Sequence, residues 1–228
     1  MTASVLLVHG GLWDTTDATM FWHTPGITER LIAALAPAGT LGAGGAQGVE
    51  GVEVLVPDRS RRPGAWEVEV AALGEYLGNR SGPVRVVGAS NGCTVAVLLA
   101  SRFPGVVDRL LLAWPATGDD AGANERARRG MVDRGCPPDV ADGLLAGGIL
   151  RGVTDEEMAS LTRIPVAVLP SVPENPSHQR KTVDALLRSI RGSRELAGCP
   201  EPPAPAFSTR NGTTHLDQLL RTIVEFVN

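Results

Sequence analysis

Short runs of residues rich in Val and Leu recur along the chain, separated by longer stretches with helical periodicity. These runs are predicted strands, at residues 4–8, 52–56, 84–87, 107–113 and 165–169. A strand with one face in solvent alternates apolar and polar residues, whereas a strand that is apolar at every position is buried on both faces. The pattern therefore predicts an α/β fold: an open, mostly parallel sheet with helices on both faces.

The intervening stretches have the spacing of amphipathic or buried helices, at residues 27–35, 66–77, 92–101, 182–190 and 214–227. Residues 116–163 form the longest stretch between two predicted strands and are too long for a bare connection. We expect them to form a small helical cap insertion, with weak helical patterns at 123–133 and 140–150, within a single domain of residues 1–228. The Gly-rich segment 39–51 is predicted to be a flexible surface loop without a phosphate-binding pattern.

Composition and charge exclude several classes of partner and cofactor. The formal net charge of −4 over 228 residues carries no electrostatic signature of nucleic-acid binding. No apolar run approaches the length of a membrane span, and no cleavable leader precedes the first predicted strand. The three cysteines lack the spacing of a disulfide framework or a metal site, and no dinucleotide-binding or Walker motif is present. We therefore expect a cytoplasmic protein that takes a small-molecule substrate and needs no metal or cofactor; the oligomeric state is left open.

A Gly-x-Ser-x-Gly motif at residues 88–92 places Ser90 between a predicted buried strand and a predicted buried helix. The bare pattern would arise by chance about once in seven chains of this composition, so its context is the stronger evidence. At a sharp strand-to-helix turn a serine hydroxyl stands out above the sheet, and glycines on either side avoid collisions with neighbouring elements. Ser90 is therefore the predicted nucleophile; the alternative is an ordinary helix-capping serine.

The chain resembles the α/β-hydrolase superfamily over essentially its whole length, as a small serine esterase-like member. The residues that carry the resemblance are His-Gly-Gly-Leu-Trp at 9–13, Pro-Asp-Arg at 57–59 and the turn at Ser90. The resemblance implies a catalytic triad whose members follow the order nucleophile, acid, histidine along the chain. The acid and the base are then expected downstream of Ser90.

A serine hydroxyl needs a neighbouring imidazole to accept its proton. His215 follows a Pro-rich segment and opens the last amphipathic helix, which is the placement that the resemblance implies for the base. His178 is the alternate candidate. His9 precedes the turn and is interpreted as a structural residue, as is Asp58.

The acid must accept a hydrogen bond from Nδ1 of that histidine. The resemblance implies a short loop after the strand at 165–169, where Glu174 fits, with Glu in place of the more usual Asp. Asn175 is an adjacent option but would be a poor acid. Asp119 or Asp120, after the preceding strand, remain open as alternatives.

An oxyanion hole needs two backbone N–H donors. One is predicted at Asn91, directly after the nucleophile, and the resemblance implies a second at Gly11, with Leu12 as runner-up. Four aromatic residues near the ends of predicted strands suggest an apolar substrate pocket: Trp13, Phe21, Trp22 and Trp114.

Taken together, these features predict a carboxylic-ester hydrolase that acts on a small-molecule ester through a Ser90 acyl-enzyme, with thioesters or lactones as variants. A second hypothesis keeps the Ser-His-acid site but assigns lyase or cofactor-free peroxidase chemistry. A third is a non-catalytic relative that binds a small molecule or a partner.

Overall fold

In the part of the chain that the structure describes, six strands form one parallel sheet in the order β2-β1-β3-β4-β5-β6. The structure, a computed structural model, describes residues 4–36, 52–80, 82–202 and 214–228. The predicted loop at 39–51 lies outside the described residues. The strands are β1 (Ser4–Val8), β2 (Glu53–Leu55), β3 (Val84–Ala89), β4 (Val107–Ala113), β5 (Val166–Leu169) and β6 (Arg194–Glu195).

Eight helices are present in the same described ranges: α1 (Ile27–Leu35), α2 (Trp66–Gly78), α3 (Gly92–Arg102), α4 (Ala121–Asp133), α5 (Pro138–Leu145), α6 (Asp155–Ser160), α7 (Arg180–Ser189) and α8 (Thr214–Val227). A π-helical turn at Thr19–His23 and a 3₁₀ turn at Leu161–Arg163 complete the helical structure. None of the helices described is long and apolar enough to cross a bilayer.

Alternate residues of the central strands enter two separate cores, one on each face of the sheet. In β1, Leu6 and Val8 pack into the core that includes α2, α3 and α7, whereas Val5 and Leu7 pack into the core that includes α1 and α8. Because both faces are covered, the central strands are apolar at most positions, and the exceptions, Ser4, Arg85, Asp108 and Arg109, lie in their amino-terminal halves. The predicted α/β architecture, an open sheet with helices on both faces, is confirmed.

Two elements were not predicted. β6 has only two residues, both charged and exposed, because it lies at the edge of the sheet where an apolar run is not required. α6 begins with a capping box in which the Thr154 hydroxyl accepts from Glu157 N–H and the Glu157 carboxylate accepts from Thr154 N–H. The Thr-x-x-Glu spacing is a sequence signal for a helix start and could have located α6.

Because all the strands run in the same direction, their carboxyl ends lie at one edge of the sheet. In an open α/β sheet this edge is where ligands bind, since the loops that leave the strands meet there. The loops after β1, β3, β4 and β5 carry His9, Ser90, Trp114 and Pro170 as their first residues. The predicted nucleophile is thus at the edge where a site is expected.

Candidate active site

Ser90 occupies the turn between β3 and α3 in a left-handed backbone conformation, with a φ of 53°. A serine adopts this conformation only where the surroundings enforce it. The Ser90 N–H donates to Ala113 O at 2.9 Å, which ties the turn to the end of β4. A Cβ at Gly92 would overlap the carbonyl oxygens of Val8 and His9, and a Cβ at Gly88 would lie 2.7 Å from Gly92 O. The turn therefore requires both glycines of the motif.

His178 is the histidine that contacts the Ser90 hydroxyl: Nε2 lies 2.9 Å from Oγ. It lies in the loop between β5 and α7, and its side chain is only 9% exposed. The buried Thr117, in the loop after β4, holds this loop in place. Thr117 N–H donates to Ser177 O at 2.8 Å, and Thr117 Oγ1 accepts from Gln179 N–H at 2.9 Å. The residues on either side of His178 are therefore both bound to the same threonine.

The other nitrogen of the imidazole faces Glu201. Nδ1 of His178 lies 2.5 Å from Glu201 Oε2, close enough for an ion pair, although the two atoms are not aligned as a hydrogen bond. The second carboxylate oxygen, Oε1, accepts from Asn175 Nδ2 at 3.0 Å. The hydroxyl of Ser90, the imidazole of His178 and the carboxylate of Glu201 therefore lie in a connected row.

The structure places neither of the residues predicted as base and acid in these positions. His215 lies on the first turn of α8, and its Nδ1 has no hydrogen-bond partner among the described residues. Glu174 is exposed, and its Oε2 accepts the Arg180 N–H at 2.7 Å, at the start of α7. The expected placement of His215 and Glu174 beside Ser90 is wrong, because tertiary contacts bring the alternate histidine, His178, to Ser90 and a carboxylate from beyond β6 to His178.

Asp119 and Asp120 also lie away from the imidazole. Asp120 caps α4 by accepting from Ala123 N–H at 2.8 Å, and this bond and Lys181 lower the pKa of its carboxyl to about 2. Asp119 pairs with the same lysine. His178 was weighed from the sequence, whereas Glu201 was not. Glu201 belongs to a Pro-rich turn without strand or helix periodicity, so no local signal marks it.

Two of the three predicted oxyanion donors have backbone N–H groups without an acceptor among the described residues. These are Gly11, in the loop after β1, and Asn91, which precedes α3. The Leu12 N–H instead donates to Thr15 Oγ1 at 2.9 Å, so it is already occupied. Gly11 has a φ of 86°, in the left-handed region that favours glycine. The geometry thus supports Gly11 over Leu12.

A buried ion pair anchors the loop that carries Gly11. The Arg59 guanidinium donates to the carbonyl oxygens of His9, Gly10 and Gly11, at 2.9, 3.2 and 3.2 Å. Its Nη2 also donates to Glu69 Oε2 at 2.7 Å, and the side chains of Arg59 and Glu69 are both almost fully buried. Three consecutive carbonyls are therefore fixed by one cation, which orients the peptide that presents the Gly11 N–H.

His9 contributes to the same anchor as a neutral imidazole. Nε2 accepts from Arg59 N–H at 3.1 Å, and Nδ1 lies 2.8 Å from Gly10 O, to which it donates. Burial and the charge of Arg59 lower the pKa of His9 to about 4. The structural role predicted for His9 matches these contacts. Asp58 acts similarly on the neighbouring segment, because its Oδ1 accepts the Ala18 N–H at 2.8 Å.

The cleft in front of Ser90 has a volume of about 400 Å³. It is lined by small residues and by cations, including Gly11, Ala116, Ala123, Ala127, Gly130, Arg126, Arg134 and Arg151. None of the four aromatic residues predicted to line it does so. Trp22 and Trp114 are fully buried, Phe21 and Trp13 nearly so, and Phe21 packs edge-on against Trp22 with ring centroids 4.7 Å apart. These side chains belong to the two hydrophobic cores of the protein.

Among the described residues, no group of three or more His, Cys, Asp or Glu side chains is arranged to hold a metal ion. Cys93 lies directly behind Ser90, with its thiol donating to Gly88 O, and burial raises the pKa of that thiol far above its usual range. It is therefore a small packing residue of α3, and the nucleophilic group at this turn is the Ser90 hydroxyl.

No protein-family model matches the chain, and no curated protein matches it. Solved structures, by contrast, match the chain. An α/β hydrolase from Sphaerobacter thermophilus has 21% identity and a TM-score of 0.61, covering 99% of this chain and 93% of that one. An extracellular α/β-hydrolase from a Paenibacillus species has 14% identity and a TM-score of 0.61, covering 98% of each chain.

A meta-cleavage product hydrolase from Pseudomonas fluorescens is similar at 15% identity and a TM-score of 0.58, over 98% of this chain and 90% of that one. At such identities the similarity shows the fold and nothing about substrate. With its parallel sheet, its helices on both faces and a serine at the turn after β3, the chain has the α/β-hydrolase fold.

Proposed function

We propose that this protein is a serine hydrolase that cleaves a carboxylic ester of a small molecule through an acyl-enzyme on Ser90. The observation that carries the proposal is the 2.9 Å contact between Ser90 Oγ and His178 Nε2 at a strained turn. A serine hydroxyl at hydrogen-bond distance from an imidazole, which itself contacts a carboxylate, is the arrangement that activates an oxygen nucleophile. Similar solved structures described as hydrolases support the same class of reaction.

In the first half of the reaction, Ser90 Oγ attacks the ester carbonyl carbon while His178 Nε2 takes the hydroxyl proton. The Glu201 carboxylate stabilises the imidazolium that forms, and Asn175 holds that carboxylate by its other oxygen. Collapse of the tetrahedral intermediate breaks the bond to the alcohol oxygen, which receives the proton from His178. In the second half, water attacks the acyl-enzyme by the same route and releases the acid.

The negative charge of the tetrahedral intermediate falls on the former carbonyl oxygen, where Gly11 and Asn91 offer N–H groups. A preorganised donor of this kind contributes about 3 kcal/mol to transition-state stabilisation. Asn91 also precedes α3, whose free N–H groups and helix dipole favour an anion at the same place. Because Arg59 holds the loop of Gly11 before substrate arrives, the donors need not reorganise during the reaction.

A cytoplasmic location is part of the proposal. It is supported by the three cysteines, Cys93, Cys136 and Cys199, which are unpaired and buried. Free thiols persist in a reducing compartment.

The proposal is tested with a fluorophosphonate probe and with p-nitrophenyl esters of short acids. Ser90→Ala is expected to abolish labelling and to reduce kcat/KM by about 10⁴-fold or more. Labelling that is absent in the wild-type protein, or that persists in the folded Ser90→Ala variant, contradicts the proposal.

The identity of the base is tested by a matched pair of histidine variants. His178→Ala is expected to lose activity nearly as completely as Ser90→Ala, because the hydroxyl loses its proton acceptor. His215→Ala, in which the altered residue lies at the start of α8, is expected to retain activity within a few-fold. The opposite result, with His215→Ala inactive and His178→Ala active, would show that the base is His215, as predicted from the sequence.

A further inference from the structure

Arg151 is a buried cation without a buried anion. The side chain lies next to the Ser90 turn and is only 5% exposed. Its hydrogen bonds go to neutral amide oxygens. Nη1 donates to Asn91 Oδ1 at 2.8 Å. Nε and Nη2 donate to Asn124 Oδ1 at 3.1 and 3.0 Å. Within the described ranges, no carboxylate lies at ion-pair distance from this guanidinium.

A guanidinium has five N–H groups, and three of those of Arg151 are engaged. One N–H therefore remains on each terminal nitrogen. Burial lowers the pKa of Arg151 to about 10, so the group is still charged near neutral pH. An unpaired charge is expensive to bury, and buried charges are ordinarily paired, so an anion that bound to Arg151 would supply the missing partner.

The other arginine side chains that line the cleft add further positive charge. Arg126 and Arg134 are exposed at its mouth, Arg126 in the middle of α4 and Arg134 directly after its last residue. Their hydrogen bonds go to backbone carbonyls, of Pro176 at 3.4 Å for Arg126 and of Trp13 at 2.8 Å for Arg134. Among the described residues, those that line the cleft include these three arginines and no aspartate or glutamate. The protein as a whole is acidic, with a formal net charge of −4, so this concentration of cations is local.

The loop that carries Arg151 is closely packed against the segments on either side of it. Gly118 N–H donates to Ile149 O at 3.3 Å, and a Cβ at Gly118 would lie 2.6 Å from Gly148 O. Gly152 has a φ of 69°, and any side chain there would overlap the indole of Trp66. The backbone that carries Arg151 is thus closely packed, and its guanidinium is held by the side chains of Asn91 and Asn124.

We propose that the substrate carries a carboxylate, separate from its scissile ester, which Arg151 binds within the Ser90 cleft. This inference rests on the proposed ester hydrolysis. Two N–H groups on neighbouring terminal nitrogens suit the two oxygens of a planar carboxylate, which arginine binds as a fork. The small residues Ala123, Ala127 and Gly130 of α4, which line the cleft, leave room for a short chain between the carboxylate and the ester.

Two matched pairs of esters test the proposal, one for each side of the ester bond. The first is mono-p-nitrophenyl glutarate against p-nitrophenyl valerate, and the second is 4-acetoxybenzoate against phenyl acetate, with the uncatalysed rate subtracted. In at least one pair kcat/KM is expected to be about tenfold to a hundredfold higher for the charged ester, the range of a charged hydrogen-bonded contact. Arg151→Met is expected to remove that preference, and Arg151→Lys to retain part of it.

Arg188→Gln is the matched control, because Arg188 is exposed on α7 outside the cleft. It is expected to leave the preference unchanged. If Arg151→Met does not fold, the double variant Arg126→Gln/Arg134→Gln at the mouth is expected to lower the preference several-fold. A wild-type protein that hydrolyses all four esters without preferring the charged member of either pair overturns the inference, and so does a preference that survives in folded Arg151→Met.

A binding measurement separates this inference from the proposed function. Glutarate at millimolar concentration is expected to raise the Tm of Ser90→Ala protein and not that of Ser90→Ala/Arg151→Met. If no ester is hydrolysed and Ser90 is not labelled, the proposed function fails, and the glutarate shift still decides whether Arg151 binds a carboxylate. If esters are hydrolysed but glutarate has no effect and no preference is found, only the carboxylate inference fails.

Discussion

The contact between Glu201 and His178 places a carboxylate at the imidazole nitrogen that faces away from Ser90. Glu201 is 26% exposed, and its second oxygen is bound by Asn175. A carboxylate at this position fixes the tautomer of the imidazole so that Nε2 is free to accept the proton of the serine. A substitution of glutamate by glutamine preserves the shape of the side chain and removes its charge, so it tests which carboxylate serves as the acid.

Glu201→Gln is expected to lower kcat by about 10²- to 10⁴-fold, because a neutral amide stabilises the imidazolium poorly and allows the wrong tautomer. The matched control is Glu174→Gln, which changes the acid predicted from the sequence to the same amide. Steady-state hydrolysis of a p-nitrophenyl ester measures both. A large loss for Glu174→Gln together with a small one for Glu201→Gln would reverse the assignment.

At the scale of elements, the site depends on how closely α3 approaches β1. Gly92, the first residue of α3, lies against the backbone oxygens of Val8 and His9 at the end of β1. Gly10 is similarly close on the other side, since a Cβ there would lie 2.8 Å from Ser90 Cβ. The Ser90 turn and the loop that presents Gly11 therefore meet through glycines, which places the N–H groups proposed as oxyanion donors beside Ser90.

Gly92→Ala is expected to destabilise the protein by about 1–3 kcal/mol, because the new methyl group meets backbone atoms that cannot rotate away. Urea denaturation followed by circular dichroism measures the change. The control is Gly143→Ala in the interior of α5, where a Cβ would meet no atom within 4 Å. That change is expected to stabilise by about 0.5–1 kcal/mol, since alanine has the higher helix propensity. Equal effects of the two substitutions would contradict the close approach of α3 to β1.

At the scale of the whole molecule, the buried His9 links folding stability to pH. Its pKa is about 4 in the folded protein, below the ordinary value of 6.5. Between these values the unfolded chain binds a proton that the folded protein does not, so lowering the pH favours unfolding. The stabilisation associated with neutral His9 is complete above about pH 6.5, is lost as pH falls towards 4, and does not decrease further below that.

The depressed pKa of His9 corresponds to at most about 3 kcal/mol of pH-dependent stability. The free energy of unfolding, measured in urea between pH 4 and 7.5, is expected to fall more steeply with acid in the wild-type protein than in His9→Asn. The difference between the two curves isolates His9 from the carboxyl groups that titrate in the same range. Parallel curves for the two proteins would show that His9 is not buried as a neutral imidazole.

The architecture was predictable because the signals for it are local. Strands buried on both faces are near-continuous apolar runs, and the helices between them show their periodicity within a dozen residues. The turn at Ser90 was predictable for the same reason, since its two glycines and its flanking strand and helix are contiguous in the chain. β6 was missed because an exposed two-residue edge strand carries no such signal.

The partners of Ser90 were decided by tertiary contacts. His178 is 88 residues away along the chain and reaches Ser90 because Thr117 binds the backbone on both sides of it. Glu201 reaches His178 from beyond β6, with Asn175 holding its carboxylate. The resemblance pointed instead to His215 and Glu174, and the aromatic residues near the strand ends turned out to belong to the core.

The amino-acid sequence by itself determined the parallel sheet, the helices that cover it and the turn that presents Ser90, because each depends on residues close together in the chain. Only the tertiary structure decided which histidine and which carboxylate complete the site and that the cleft is cationic. Those features depend on loops from separate strands, and the positions of such loops follow from long-range hydrogen bonds that no local pattern encodes.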